Sequence, residues 1–189
     1  MRTITPKDAR VTPPEATRVF KGIIYDVYHW PQKLFDGTTA TFEILKRRDT
    51  VKVICIKDGK ILVVEDEQPT HKMDLAVPGG RHDVESETEL DCARREVREE
   101  TGIAFKNWRL VGVTQPNDEV DWLVYVFLAW DVESRGEPHI DGGERITVRE
   151  CTYDDILAIT PGFPSIEYVQ QLVRGAGSVE GLLSLPEYK

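Results

Sequence analysis

Nine consecutive residues, Arg95-Glu96-Val97-Arg98-Glu99-Glu100-Thr101-Gly102-Ile103, constrain this chain more than any other stretch. At about 100° per residue, Glu96, Glu99 and Glu100 fall within one arc of about 100° on a helix. Leu90, Ala93 and Val97 gather on a neighbouring stripe, so the helix has an apolar face to bury beside its acidic one. Ser86 with Glu89, or Thr88 with Asp91, has capping-box spacing, and Gly102 suits the left-handed closing position. These signals predict a helix over residues 88–101. Like charges grouped this way cost stability unless a cation stands among them. The plain alternative is a solvated face paired with Arg94, Arg95 and Arg98. Two features favour a divalent cation: the carboxylates sit on one side, and a Pro78-Gly79-Gly80 turn lies just upstream, where bare backbone can approach metal and phosphate.

The chain has 189 residues, a length that fits one domain with room for an added lobe. A formal charge of -9 argues against broad binding to nucleic acid or acidic membranes. An anionic substrate would need cations locally, with Arg81, His82 and Lys72 near the turn as possible helpers beside their plain reading as surface residues. No stretch approaches the roughly 20 apolar residues of a membrane span, and the first residues lack the basic-then-apolar order of a signal peptide. Cys55, Cys92 and Cys151 are odd in number, widely separated and without metal spacing, which reads as free thiols in a reducing cytoplasm.

Pro6, Pro13 and Pro14 predict an extended or loosely ordered lead-in over residues 1–18. Strands are expected over 19–30 and 39–48, with a turn at Asp36-Gly37, as an N-terminal antiparallel lobe. The clearest hairpin joins Val51–Ile56 to Ile61–Glu65 through Lys57-Asp58-Gly59-Lys60, since Asp-Gly between apolar runs favours a primed turn. A short strand at Leu75–Val77 leads into the glycine turn. Further strands are expected near 107–115, 121–132 and 145–152, then helices near 154–159 and 165–174. Mixed strands with one central and one or two C-terminal helices indicate an α+β fold, a sandwich with a mixed sheet. The expected division is a lobe over 1–48, a main domain over 49–175 and a tail over 176–189.

Residues 80–103 resemble the Nudix box, G-x5-E-x7-R-E-U-x-E-E-x-G-U with U aliphatic. Glu87, Arg95, Glu96, Val97, Glu99, Glu100, Gly102 and Ile103 match in type and spacing; six residues instead of five separate Gly80 from Glu87. The resemblance implies an α/β/α sandwich and a metal-dependent hydrolase of nucleoside diphosphates linked to another group. It makes Glu96 and Glu100 metal ligands, Glu99 a third ligand or an aid to the attacking water, and the Gly79 carbonyl a further ligand. Arg95 would hold the glutamates and Glu87 would brace the loop. Hard oxygen ligands suit Mg²⁺ or Mn²⁺ and argue against zinc.

Beyond the box, Val27-Tyr28-His29-Trp30, Phe42-Glu43-Ile44-Leu45 and Asp49-Thr50-Val51 are similar to the N-terminal half of the ADP-sugar pyrophosphatase branch. That branch uses such a lobe in a homodimer and in its adenine pocket. The likeness implies a nucleotide-sugar substrate such as ADP-ribose, contacted at Gly80 and Arg81. Trp30 is weighed between a nucleobase stack and the core. Gly143-Glu144-Arg145 resembles the branch's acidic loop, which makes Glu144 the first candidate for general base, ahead of Glu99 and Glu119. Pro116 lies 14 positions past Gly102 where the branch has a proline about 16 past the box, and Glu65-Asp66-Glu67-Gln68-Pro69 replaces its Arg-rich segment. Dinucleoside polyphosphates or nucleoside triphosphates are the alternative substrates. A nucleotide sensor without turnover is the alternative class, although such modules usually lose helix glutamates that are all present here.

Overall fold

The computed structural model describes residues 2–69, 71–140, 142–158 and 164–189, with 71–74 and 164–166 described by backbone alone. Strands β1 (Thr17–Lys21), β2 (Asp26–Lys33) and β3 (Thr39–Lys46) open the chain. They are followed by β4 (Thr50–Lys57), β5 (Lys60–Gln68), β6 (His71–Ala76) and helix α1 (Glu89–Thr101). Next come β7 (Ile103–Thr114), β8 (Val120–Asp121), β9 (Val124–Arg135) and β10 (Arg145–Cys151). Helices α2 (Tyr153–Ala158), α3 (Pro164–Ala176) and α4 (Val179–Leu183) complete the described elements. A six-stranded sheet has the order β10-β5-β4-β9-β7, with β6 on β5, and a four-stranded sheet has the order β1-β2-β3-β8. The larger sheet is mixed because β4 and β9 run parallel, from Thr50 beside Val124 to Ile56 beside Trp130.

Alternation along β4 divides the core in two. Val51, Val53 and Cys55 face Cys92, Ala93 and Val97 of α1, and none of the six has any solvent exposure. Ile54 and Ile56 face the opposite cluster, where Val169, Val173 and Leu182 arrive from α3 and α4. Helices therefore cover both faces, giving the expected α/β/α sandwich. Burying Val51, Val53 and Val97 contributes about 1.5–3 kcal/mol each, which helps fix α1 against the sheet despite its charge. The helix boundaries follow from its caps: Thr88 and Asp91 form a reciprocal capping box, and Gly102 closes the helix at φ 70° with its N–H on the Arg98 carbonyl. Asp58 (φ 52°) and Gly59 (φ 74°) form the expected primed turn of the β4–β5 hairpin.

Four sequence expectations are revised. The stretch 19–30 holds two strands, split by a turn at Gly22–Tyr25 whose apolar Ile23 and Ile24 are exposed and so mimicked a strand interior. The stretch 121–132 is likewise divided, because β8 runs parallel to β3 in the smaller sheet before β9 enters the larger one. The tail carries α4, capped by the Ser178 hydroxyl, and docks through the Arg109 guanidinium, which donates to the Leu183 and Leu185 carbonyls.

The fourth concerns the lead-in, which is tied down by polar contacts that hydropathy does not register. The Arg2 guanidinium pairs with Asp49 and Asp121, both at 2.7 Å, and the Thr3 backbone N–H and hydroxyl donate to the buried Glu89 carboxylate. Thr12 adds backbone and hydroxyl donors to Asp121, whose side chain is 1% exposed, and the Tyr125 hydroxyl donates to the Ile4 carbonyl. Carboxylates this deep need such partners. No helix of the described residues is long and apolar enough to cross a membrane, and all three cysteines are free and buried. Arg2→Ala, by stranding Asp49 and Asp121, is expected to cost on the order of 3 kcal/mol. Urea unfolding would show it as a lower midpoint at unchanged m-value, and an unchanged midpoint would contradict the assignment.

Candidate active site

The site begins where β4 changes partners. Its first half gives its donors to the glycine turn, Val51 N–H to the Gly80 carbonyl (2.9 Å) and Val53 N–H to the Pro78 carbonyl (2.8 Å). β5 meets β4 only from Cys55 to Lys57, so the Pro78–Gly80 segment lies where β5 would otherwise continue. This arrangement opens a cleft of about 720 Å³. Gly79 adopts φ 137° and runs so close that a Cβ there would stand 2.1 Å from the Val51 carbonyl oxygen. A Cβ on Gly80 would lie 2.3 Å from Glu96 Oε2, so the second glycine makes room for a carboxylate.

Arg95 organises the acidic face of α1. Its Nε donates to both Glu87 oxygens at 3.0 and 3.2 Å, and its Nη1 donates to Glu96 Oε1 (2.7 Å) and Glu99 Oε2 (3.0 Å). Burial works against the Arg95 charge, but the bonds to Glu87 and the field of Glu96 outweigh it, and the guanidinium holds its proton more tightly than usual. The longer loop before Glu87 is absorbed locally. His82 donates its backbone N–H to the Asp49 carbonyl and sets its Nε2 2.8 Å from the Glu87 carbonyl, while Glu87 N–H closes a turn onto Val84.

Glu100 takes the Gly79 N–H on its Oε2 at 3.0 Å. Burial pushes its carboxyl up to about 8 against the pull of the Lys52 charge and the Gly79 N–H, with Glu96 and Glu144 adding repulsion. Burial also raises the Glu96 carboxyl, countered by Arg95 and reinforced by Glu99 and Asp83. Burial is the main cause of both upward shifts, and the carboxylates that share the cleft offer hard oxygen donors, which fits Mg²⁺ or Mn²⁺. Among the described residues no three His, Cys, Asp or Glu side chains are gathered for one ion. Glu96 and Glu99 each keep an oxygen on Arg95, and Glu100 keeps one on Gly79. The Gly79 carbonyl accepts from Lys52 Nζ at 3.1 Å.

Across the cleft, Glu144 sits just before β10, where the register sets it opposite Gln68. Gln68 Nε2 donates to Asp66 Oδ2 (3.0 Å) and Glu144 Oε1 (3.3 Å). The loop leading to Glu144 is tethered to the end of α1 by His139 N–H on the Glu99 carbonyl and Gly136 N–H on the Gly102 carbonyl. Gly79, Gly80, Arg81, Arg95, Glu96, Glu99, Glu100 and Glu144 thus share one cleft. Glu87 acts behind it through Arg95. Glu119 lies exposed in the turn before β8, away from the cleft. Trp30 is 6% exposed and packs against Phe42 in the smaller sheet, with its indole N–H on Gln32, outside the cleft lining. The Lys72 side chain lies outside the described residues.

Sequence reasoning missed Lys52, Asp66, Gln68 and His139, all of which line the cleft. Lys52 did leave a signal, as the one charge inside the apolar run Val51-Lys52-Val53-Ile54-Cys55-Ile56. Asp66 and Gln68 stood at alternate positions of a strand end, which only the sheet pairing turns toward Glu144.

A sequence model of the NUDIX domain matches residues 46–172. No curated protein matches the chain. A crystal structure of an ADP compounds hydrolase is similar at a TM-score of 0.68 and 17% identity, over 92% of this chain and 100% of that one. MutT from the fish pathogen Aliivibrio salmonicida and from Vibrio cholerae is the subject of another similar structure, at TM-score 0.53 and 15% identity over 69% of this chain and 98% of that one. Gly80→Ala is expected to keep the fold and melting temperature while displacing the Glu96 carboxylate, lowering turnover by roughly 10²-fold. Wild-type turnover in that variant would contradict the role given to Glu96.

Proposed function

The chain belongs to the Nudix family of pyrophosphohydrolases, and on that premise we propose that it cleaves the diphosphate of a nucleoside diphosphate sugar, ADP-ribose or a close analogue, to a nucleoside monophosphate and a sugar phosphate in an Mg²⁺- or Mn²⁺-dependent reaction. The observation that carries this reading is the trio beside the Gly79-Gly80 turn, with Glu96 and Glu99 held by Arg95 and Glu100 held by the Gly79 N–H. Bound among those oxygens, the divalent cation would neutralise charge on the diphosphate and ease loss of a proton from the attacking water. Glu144 faces the trio across the cleft and accepts that proton; Glu99 is the second candidate. Gly80 and Arg81 line the place where the diphosphate lies.

The sugar assignment is supported by the N-terminal sheet. The likeness to the ADP compounds hydrolase spans 92% of the chain, more than the 69% spanned by the MutT likeness. The domain match at 46–172 supports a catalytic domain of about 49–175, an N-terminal lobe over 1–48 and a tail over 176–189. Phe20, Ile23 and Ile24 are more than half exposed on the lobe, an apolar surface suited to a homodimer. Buried free thiols suit a reducing cytoplasm.

A panel of nucleoside diphosphate sugars, dinucleoside polyphosphates and nucleoside triphosphates with Mg²⁺ is expected to show cleavage of the sugars, with products identified by mass. Cleavage of triphosphates alone would contradict the substrate assignment, and tight binding without any cleavage would contradict the hydrolase. Glu100→Gln, which removes a charge without changing volume, is expected to abolish most turnover at unchanged melting temperature. Glu144→Gln is expected to lower kcat more than it raises KM. Wild-type kcat in Glu144→Gln would transfer the base role to Glu99.

A further inference from the structure

Glu87 stands just outside α1. The helical ladder begins at the Thr88 carbonyl, which takes the Cys92 N–H at 3.0 Å, so the Glu87 carbonyl lies beyond the reach of the helix's own donors. His82 supplies one instead. Its Nε2 lies 2.8 Å from that oxygen, five positions along the chain. A carbonyl only accepts, so Nε2 carries the proton whether the ring is neutral or charged. The His82 backbone N–H meanwhile donates to the Asp49 carbonyl at 2.9 Å, just before β4. One residue thus joins the edge of the sheet to the peptide that follows Glu87.

The loop between His82 and Glu87 does little to hold itself. Asp83, Val84, Glu85 and Ser86 are all exposed. Glu85 pairs with Arg48 at 3.2 Å between side chains more than half exposed, and Asp83 approaches Arg95 only to 3.9 Å. Pairs of this kind contribute about 0–1 kcal/mol. The Glu87 N–H closes a turn onto Val84, within the loop itself. Six residues between Gly80 and Glu87, where the Nudix box has five, add backbone freedom at the point where the Glu87 carboxylate must meet Arg95 Nε at 3.0 and 3.2 Å. The Thr88 cap fixes the next residue but not the rotation of the Glu87 peptide.

We infer that His82 is a positioning residue for the acidic face: by holding the Glu87 carbonyl it sets the Glu87 carboxylate against Arg95, and through Arg95 it sets Glu96 and Glu99. Its effect on turnover rests on the hydrolase reading above; its effect on Arg95 rests on the hydrogen bonds alone.

Solvent exchange of the Arg95 Nε–H in heteronuclear NMR spectra of the full chain, assigned by the loss of its resonance in Arg95→Lys, follows the Glu87 contact without reference to turnover. In His82→Ala, and in His82→Asn, whose amide stops short of the Glu87 carbonyl, this proton is expected to exchange at least about tenfold faster than in wild type. Both variants are expected to lower kcat about tenfold with KM within about twofold of wild type. His82→Gln carries an amide N–H out to the position of Nε2 and is expected to restore exchange and kcat to within about threefold of wild type. A residue that served folding alone would lower the melting temperature and leave the Arg95 proton as it was. Wild-type exchange, or wild-type kcat, in both His82→Ala and His82→Asn would overturn the inference. A wild-type chain that cleaved nothing in the substrate panel would end the hydrolase reading, and the exchange rates would still uphold or overturn the hold of His82 on Glu87 and Arg95.

Discussion

Everything around the cleft depends on how one guanidinium divides its donors. Arg95 gives its Nε to Glu87 and its Nη1 to Glu96 and Glu99, and so holds three carboxylates that would otherwise repel one another. The bidentate, planar geometry of arginine suits this task, and a lysine could not span the same partners. Glu87 anchors the guanidinium from behind, and the loop that carries Glu87 is in turn pinned by His82 to both Asp49 and the Glu87 carbonyl. The acidic face is thereby preset, and burial, reinforced by the neighbouring carboxylates, raises the Glu96 and Glu100 carboxyls.

Presetting also needs a fixed frame, which comes from two wedges. The Pro78–Gly80 segment displaces β5 from β4 and makes the cleft, and only glycines allow its approach to Val51 on one side and to Glu96 on the other. The N-terminal strap works from outside: Thr3 serves the Glu89 carboxylate at the start of α1, and Arg2 joins Asp49 to Asp121. A polar lead-in thus supplies partners to buried acids at the start of α1, before β4 and in β8. The loop carrying Glu144 is tied to the other end of α1 through Glu99 and Gly102. One helix, held at both ends, therefore relates its acidic face to Glu144 across the cleft.

The helix, its caps, the Asp58-Gly59 hairpin and the acidic face were legible in sequence because each depends on residues within a few positions of one another. The division of 19–30 was hidden because an exposed turn made of Ile23, Ile24 and Tyr25 carries the same hydropathy as a strand. The docking of residues 2–12 was hidden because its partners are carboxylates far along the chain, at Asp49, Glu89 and Asp121. For the site, the box residues could be named from their likeness to the Nudix box in type and spacing. Asp66 and Gln68 gain meaning only from a register that sets Gln68 against Glu144, and Lys52 only from a turn that lays the Gly79 carbonyl against it. Trp30, weighed in sequence between a nucleobase stack and the core, is buried beside Phe42 with its indole N–H on Gln32.

The central claim is that the carboxylates of Glu96, Glu99 and Glu100 together hold a divalent cation. Anomalous diffraction from crystals soaked in Mn²⁺ addresses it directly. A peak bounded by those three side chains is the expected result; a clean map at that position, in crystals whose soaked Mn²⁺ scatters elsewhere in the lattice, would contradict it.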